Sequence, residues 1–152
     1  MYVYEHVKKL NVTPAYVLVK HALIECFEKD YLHPQSDGID YDAEAVVAYL
    51  VNESANFKKP VGFIAYKKID WSNNYDIYLA FVTKRFRGEG VHTAMYNKLI
   101  DIAKKENIVS IMSTISVNNE AGVAAAKKQG RTLLSNNFST DLMTIPKYTE
   151  GG

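Results

Sequence analysis

Residues 85–90 read RFRGEG and lie between an apolar run, YDIYLAFV at 75–82, and a segment with helical periodicity, VHTAMYNKLIDIAKK at 91–105. Glycine carries no Cβ, so a turn containing Gly88 and Gly90 can bend sharply and let a ligand approach the backbone. The first N–H groups of a helix have no intrahelical acceptor, and together with the helix dipole they favour an anion. Arg85 and Arg87, with Lys84, add positive charge. This stretch therefore predicts a strand–turn–helix unit whose turn suits a phosphate group.

Helical periodicity dominates the chain before this unit. A first helix is predicted over 15–29, with Thr13-Pro14 at its start and an aligned row of Ala15, Val19, Leu23 and Phe27. A second helix is predicted over 43–51, with Asp42 as its N-cap. The period then changes to two in VGFIAYKKI at 61–69, which predicts a hairpin with 75–82 around the turn WSNN.

After the RFRGEG turn, the pattern predicts a helix over 91–105, a strand over 108–117, a helix over 119–129 ended by Gly130, and two strands within 131–145. The first of these helices carries one apolar face, made of Val91, Met95, Leu99 and Ile102. A strand–helix–strand crossover should be right-handed and place two strands parallel. We therefore predict one mixed α/β domain over 1–152, with a core at about 13–147 and a mostly antiparallel sheet flanked by helices.

Composition excludes several classes of function. A net charge of +1 argues against broad electrostatic binding to nucleic acid. No apolar run approaches the roughly 20 residues of a membrane span, and the first ten residues do not resemble a secretory signal. The four histidines lack metal-binding spacing, and Cys26 is the only cysteine, in an apolar helical setting typical of a buried thiol. We expect a cytoplasmic protein without a metal, as a monomer or a homodimer.

RFRGEG matches the pattern Arg/Gln-x-x-Gly-x-Gly/Ala, and so resembles the acyl-coenzyme A pyrophosphate motif of the GNAT superfamily of N-acyltransferases. The order of predicted elements over 13–147 is also similar to the GNAT fold. Two other phosphate-binding turns fit less well. A nucleoside triphosphate loop needs Gly-Lys-Ser/Thr at its end, and a Rossmann-type dinucleotide fingerprint needs a small residue where Thr93 stands. A Rossmann-type nucleotide-binding domain remains the third alternative.

The resemblance implies acetyl-CoA as the co-substrate. In this family the backbone of the strand before the motif binds the pantetheine arm, which points here to Phe81, Val82 and Thr83. The Val82 N–H group would also stabilise the oxyanion of the thioester. The pyrophosphate would lie against the turn formed by Arg85, Phe86, Arg87, Gly88, Glu89, Gly90 and Val91. Asn119 matches a later family motif, either as a coenzyme contact or as a helix N-cap.

The chain departs from that later motif, Asn-x-x-Ala-x-x-x-Tyr-x-x-x-Gly-Phe, at three positions. Gly122 stands in the Ala position, Ala126 in the Tyr position, and Arg131 replaces the aromatic residue after Gly130. The family's tyrosine protonates the departing thiolate, and an alanine cannot. This favours, as the alternative to an enzyme, a non-catalytic GNAT-fold module that binds coenzyme A or serves in assembly.

Amine acylation needs a base, and Asp76 is the first candidate because its strand leads to the thioester position. Tyr78 shares its face and would line the same cleft. The alternatives, which the residues alone favour, are a solvated residue that closes the WSNN turn for Asp76 and plain packing for Tyr78. His92, at a helix N-terminus, is expected to contact phosphate or solvent rather than act as a base.

The resemblance implies that the loop between the first two predicted helices forms one wall of the acceptor pocket. Residues 30–53 hold six acids and no Lys or Arg: Asp30, Asp37, Asp40, Asp42, Glu44 and Glu53. Aromatic residues lie nearby, at Tyr31, Tyr41, Trp71 and Tyr75. Carboxylates with aromatic walls suit a cationic amine, although a solvated acidic loop has the same composition. The predicted activity is direct transfer of an acetyl group from acetyl-CoA to a primary amine on a small molecule or a peptide.

Overall fold

Five strands form one mixed sheet in the order β1-β2-β3-β4-β5. The computed structural model describes residues 1–31, 42–136, 138 and 140. The strands are β1 (Tyr2–Val7), β2 (Glu44–Asn52), β3 (Phe57–Lys68), β4 (Asn74–Val82) and β5 (Ser110–Ser113). The helices are α1 (Tyr16–Glu28), α2 (Val91–Lys105) and α3 (Glu120–Lys128). The first three strand pairs are antiparallel and β4 pairs with β5 in parallel, which confirms the predicted fold class.

Helices α1 and α2 cover opposite faces of this sheet. Val46 and Ile64 point toward α2, where they pack with Met95 and Leu99. Val47 and Phe63, their neighbours on the same strands, point toward α1. The predicted apolar face of the helix over 91–105 is confirmed, since its four residues are all buried in α2.

The predicted helix over 43–51 is wrong, because these residues form β2. The strand lies inside the sheet, between β1 and β3, and is buried on both faces from Ala45 to Tyr49. A strand covered on both sides shows a continuous apolar run instead of alternation, and periodicity cannot distinguish such a run from a buried helix. The β-branched residues Val46, Val47 and Val51 favour a strand. Strand β1 was not predicted at all, and it forms the edge of the sheet beside β2.

The bounds of several other elements differ from the prediction. Helix α1 begins at Tyr16 without a side-chain cap, because the Thr13 hydroxyl donates instead to the Leu10 carbonyl at 2.8 Å. Its buried face is made of Leu18, Val19 and Ala22, and the predicted Phe27 is 71% exposed. The strand predicted over 108–117 is reduced to β5. No strand is present at 131–136, and most of the rest of the predicted C-terminal hairpin lies outside the described residues.

Candidate functional site

Strands β4 and β5 form a fork. They pair only over Asn74–Ile77 and Ser110–Ser113, after which β4 continues without a described neighbour on that side. A β-bulge lies at the branch point: Ile77 pairs with Tyr66 and Leu79 with Ala65, so Tyr78 has no partner on β3. Bulges bend a strand and re-aim its side chains. The last five residues of β4 therefore present an open backbone edge.

The hydrogen bonds of β4 show which backbone groups face this open edge. Thr83 N–H donates to the Val61 carbonyl at 2.8 Å, so this donor, predicted to bind pantetheine, is engaged within the protein. Hydrogen bonding alternates along an antiparallel ladder. The N–H group of Phe81 therefore also points toward β3, and the N–H groups of Ala80 and Val82 point outward. Of the three residues named from the resemblance, Val82 thus has its N–H group at the fork. Ala80 was missed, and only the strand register could have identified it.

The loop between β4 and α2 forms a cradle of N–H groups. Gly88 and Gly90 both have φ of 81°, the left-handed region, and an added Cβ at either would meet no atom within 4 Å. Within the described chain, no backbone acceptor faces the N–H groups of Gly88, Glu89, Gly90 or Val91. The buried Phe86 ring anchors the loop by packing edge-on against Tyr2. The loop is therefore held in place while its donors point to open space.

The charged side chains of this loop divide into two groups. The side chains of Lys84 and Arg85 are exposed and form no hydrogen bond or ion pair with any described residue. Arg87 instead turns toward α1: its Nε donates to the Val82 carbonyl at 2.8 Å and its guanidinium lies 2.7 Å from Glu25. Glu89 accepts a hydrogen bond from the Tyr2 hydroxyl, which draws its carboxylate toward β1. Lys84 and Arg85 remain the cations available to a phosphate.

Asp76 and Tyr78 lie on the α1 face of β4, close to the fork. Burial raises the pKa of Asp76, and Lys67, its neighbour on β3, partly opposes this. The Tyr78 hydroxyl is buried and has no hydrogen-bond partner among the described residues, and the Lys67 ammonium lies 4.8 Å from the centre of its ring. The structure thus brings together the two side chains that we predicted as catalytic, with a cation between them.

The later motif is present at the start of α3 as a helix cap. The Asn119 side chain accepts a hydrogen bond from Gly122 N–H at 2.9 Å. A Cβ at position 122 would lie 2.6 Å from the Asn119 amide nitrogen, which explains glycine where the family motif has alanine. Of the two roles considered for Asn119, this geometry provides the cap.

On the α2 face of the fork lies a cluster that the sequence did not predict. The Arg131 guanidinium donates to Ser113 Oγ and lies 4.8 Å from the centre of the Tyr96 ring. His92 Nδ1 lies 2.9 Å from the Gln129 amide nitrogen. Burial, and secondarily Arg131, lowers the pKa of His92, so the imidazole is neutral near pH 7. The sequence indicated only that Arg131 replaces an aromatic residue.

The expected acceptor wall is only partly present. Glu44 lies on β2 and bonds His6 and Tyr66, at 2.9 and 3.1 Å, and Tyr75 is buried with its hydroxyl donating to Glu106. Neither Glu44 nor Tyr75 is therefore free to line a pocket. Asp30 follows α1, where its carbonyl accepts from the Asn118 amide at 3.0 Å. The predicted Asp37, Asp40 and Tyr41 lie outside the described residues.

Residues 1–31, 42–136, 138 and 140 contain no group of three or more His, Cys, Asp or Glu side chains arranged to hold a metal ion. No helix in the same residues is long and apolar enough to span a membrane.

Comparison with known proteins gives one family match and a set of structural neighbours. The model of the acetyltransferase (GNAT) family matches residues 16–130. An uncharacterized N-acetyltransferase of Methanocaldococcus jannaschii is 35% identical over 78 residues, which cover 47% of this chain and 34% of that protein. The chain thus matches about a third of the length of this curated relative.

The solved structures share the fold at low identity. An aminoglycoside acetyltransferase, AAC(6')-Iy, in complex with a bisubstrate analogue has a TM-score of 0.66 at 14% identity, covering 94% of this chain and 99% of its own. An aminoglycoside acetyltransferase from an uncultured soil metagenomic sample has a TM-score of 0.65 at 14% identity, with 93% and 97% coverage. A predicted acetyltransferase of Clostridium acetobutylicum, crystallised with acetyl-CoA, has a TM-score of 0.62 at 19% identity, with the same coverage of 93% and 97%.

Proposed function

Because the chain belongs to the GNAT family of acetyltransferases, we propose that it is an N-acetyltransferase that moves an acetyl group from acetyl-CoA to a primary amine. The observation that carries this proposal is the open edge of β4 leading directly into a loop with unpartnered N–H groups. An extended arm with amide groups followed by a diphosphate is the ligand shape that fits such an edge and loop.

Binding of acetyl-CoA uses both parts of this surface. The outward N–H groups of Ala80 and Val82 suit the carbonyl groups of the pantetheine arm, which would extend along β4 as an added strand. The N–H groups of Gly88 and Gly90 suit the diphosphate, with Lys84 and Arg85 supplying charge. No described carboxylate opposes this charge by an ion pair.

The acetyl transfer is a direct attack of the amine on the thioester carbonyl. Val82 N–H would stabilise the negative charge that develops on the carbonyl oxygen. Asp76, whose pKa burial raises, would accept the proton that the amine loses. The Tyr78 hydroxyl, on the same face and without a partner among the described residues, would orient the amine by a hydrogen bond.

For the acceptor we propose a small molecule with several amino groups. Two of the structural neighbours are aminoglycoside acetyltransferases, which supports this class. Asp76 and Asp30 lie on the α1 side of the fork with Lys67 as the nearby cation, and their carboxylates suit the amino groups of a cationic substrate. A peptide amine is the other acceptor that the sequence predicts, and it is part of the test below.

A second candidate function is a non-catalytic module that binds coenzyme A. The observation that favours it is Ala126, which leaves the family's acid position without a proton donor. Binding of acetyl-CoA is common to both candidates. Turnover with an amine separates them.

The experiment has two stages. Acetyl-CoA should raise the melting temperature of the parent protein by mass action, and Gly88→Trp should abolish the shift by filling the open space of the cradle. Gly130→Trp is the control, since Gly130 has a similar φ of 78° and equally open surroundings outside the loop. No shift in the parent protein contradicts both candidates.

In the second stage, release of the coenzyme A thiol is followed with polyamines, aminoglycosides, amino acids and peptides. Release with an aminoglycoside or polyamine supports the proposal. Release only with peptides overturns the small-molecule acceptor, and binding without release from any class supports the module.

A further inference from the structure

We propose that Arg131 is a further catalytic residue, whose guanidinium stabilises the thiolate of coenzyme A as it leaves. This inference rests on the proposed acetyl transfer and assigns the step that Ala126 leaves without a side chain. The position after Gly130 has an aromatic residue in the family motif, so the assignment is specific to this chain.

The first argument is the place of the guanidinium. Arg131 donates to the hydroxyl of Ser113, which is the last residue of β5 that pairs with β4, opposite Ile77. Beyond this pair the two strands separate. The cation therefore lies at the base of the fork on its α2 face, opposite the face that carries Asp76 and Tyr78. A thioester in the fork would have the base on one side and the cation on the other.

The second argument is how Arg131 reaches this place. Its N–H donates to the Ala126 carbonyl at 3.0 Å, and Gly130 N–H donates to the Lys127 carbonyl at 3.0 Å. These two bonds form a Schellman motif at the end of α3, which fixes the backbone at Arg131 beside Ala126. The long side chain thus starts next to the empty tyrosine position, and stacking on the Tyr96 ring directs it along the fork.

The third argument is charge. Arg131 forms no ion pair with any described carboxylate, on β5, α2 or α3. The groups packed around it are the Ser113 hydroxyl, the Tyr96 ring and the neutral His92. A half-buried guanidinium without a counter-ion favours an incoming anion, and a charge-assisted hydrogen bond to it is stronger than a neutral one.

The step balances without proton donation by Arg131. The amine nitrogen forms a bond to the acetyl carbon, the carbon–sulfur bond breaks, and its electron pair remains on sulfur. Arg131 donates no proton in this step and lowers the energy of the thiolate by its charge. The thiolate takes a proton from solvent after release, and the proton lost by the amine goes to Asp76.

The test measures the bound product as well as turnover. Coenzyme A is titrated on the parent, Arg131→Gln, Arg131→Lys and Lys128→Gln proteins, and thiolate formation is followed by ultraviolet absorbance. Lys128 lies at the exposed end of α3 and controls for loss of one positive charge. We expect a higher pKa of the bound thiol in Arg131→Gln, an intermediate value in Arg131→Lys, and the parental value in Lys128→Gln.

Turnover should follow the same order. In Arg131→Gln we expect kcat to fall at least about tenfold, the effect of 1.4 kcal/mol, with KM for acetyl-CoA changed less than about twofold. Adding Ala126→Tyr to Arg131→Gln should restore part of kcat by supplying the family's acid. If Arg131→Gln loses stability, Arg131→Lys still provides a test, because it keeps the positive charge and should give the intermediate thiol pKa.

The outcomes separate this inference from the proposed function. Unchanged kcat and an unchanged thiol pKa in Arg131→Gln overturn the role of Arg131 while acetyl transfer stands. The role of Arg131 is also overturned if kcat falls in Arg131→Gln while the thiol pKa stays unchanged and Ala126→Tyr restores no activity. That result would assign Arg131 to packing. Absence of coenzyme A binding in the parent protein overturns the proposed function first.

Discussion

Arg87, in the loop between β4 and α2, and Glu25 of α1 form an ion pair with 2.7 Å between guanidinium and carboxylate. The same guanidinium holds the Val82 carbonyl and stacks over the Phe81 ring at 5.4 Å. One side chain thus links helix α1 to strand β4 and to the loop that follows it. We therefore predict that Arg87 positions α1 against β4, in place of the phosphate contact that the resemblance implies.

Disruption of the pair should therefore have the same effect from either end. Glu25→Gln and Arg87→Met should each lower the free energy of unfolding, and the coupling energy in a double-mutant cycle should be about 0.5–1 kcal/mol, as for a partly exposed ion pair. Chemical denaturation measures this. If Arg87 instead binds phosphate, Arg87→Met raises KM for acetyl-CoA strongly and Glu25→Gln leaves it unchanged.

The glycines of the loop allow a matched comparison. Gly88→Ala and Gly130→Ala both place a Cβ at positive φ in open space, so each should cost about 1–2 kcal/mol of stability. Only Gly88→Ala should also weaken binding of acetyl-CoA, since Gly88 belongs to the cradle. Calorimetric titration with acetyl-CoA distinguishes the two variants. Equal binding by both would show that the cradle does not contact the coenzyme.

The hydroxyl of Tyr78 provides a test of function against packing. A buried hydroxyl without a partner costs stability, so Tyr78→Phe should raise the free energy of unfolding of the free protein by about 1 kcal/mol. The same change should reduce acetyl transfer if the hydroxyl bonds the amine. A variant that is more stable and fully active would assign Tyr78 to packing alone.

Asp76 should show a pH-dependent effect on stability. Burial raises its pKa above the ordinary value of 3.8, so the unfolded chain releases this proton at a lower pH than the folded one. The ionised carboxylate thus lowers stability at neutral pH, and this loss disappears as the pH falls below the unfolded value. The melting temperature of Asp76→Asn should exceed that of the parent at about pH 7 and should equal it below about pH 4.

Acetyl transfer by Asp76→Asn should fall by about a hundredfold or more, the usual contribution of a general base. Lys67→Met is the matched control for stability. It removes the charge that lowers the pKa of Asp76, so the loss of stability caused by ionisation of Asp76 should continue to a higher pH than in the parent. If Asp76→Asn keeps the parental activity, the proton that the amine loses goes to solvent and Asp76 is not the base.

The sequence predicted the parts of the molecule that depend on local geometry. RFRGEG was identified because left-handed backbone at Gly88 and Gly90 needs glycine and because a helix follows. The α2 face and the Asn119 cap depend on spacings of three or four residues and were also predicted. Strand β2 was not, because burial on both faces removes the alternation that identifies a strand.

Contacts between distant residues determine the rest of the site. Glu25 lies 62 residues before Arg87, and Ser113 lies 18 before Arg131, and no short motif records either pair. The resemblance even pointed Arg87 toward phosphate, whereas the fold directs it to α1. Such partners become visible only when the register of β4 and the end of α3 are known.

Gly122 and Asn119 should be energetically coupled. Gly122→Ala adds helix propensity worth about 1 kcal/mol but places a Cβ 2.6–3.0 Å from the Asn119 side chain, which displaces the cap at a cost of about 1 kcal/mol. The single change should thus be nearly neutral. In an Asn119→Ala background the cap is already absent, so Gly122→Ala should stabilise by about 1 kcal/mol. Unfolding of the four proteins of this cycle measures the difference, and strict additivity would mean that Asn119 does not cap α3 in solution.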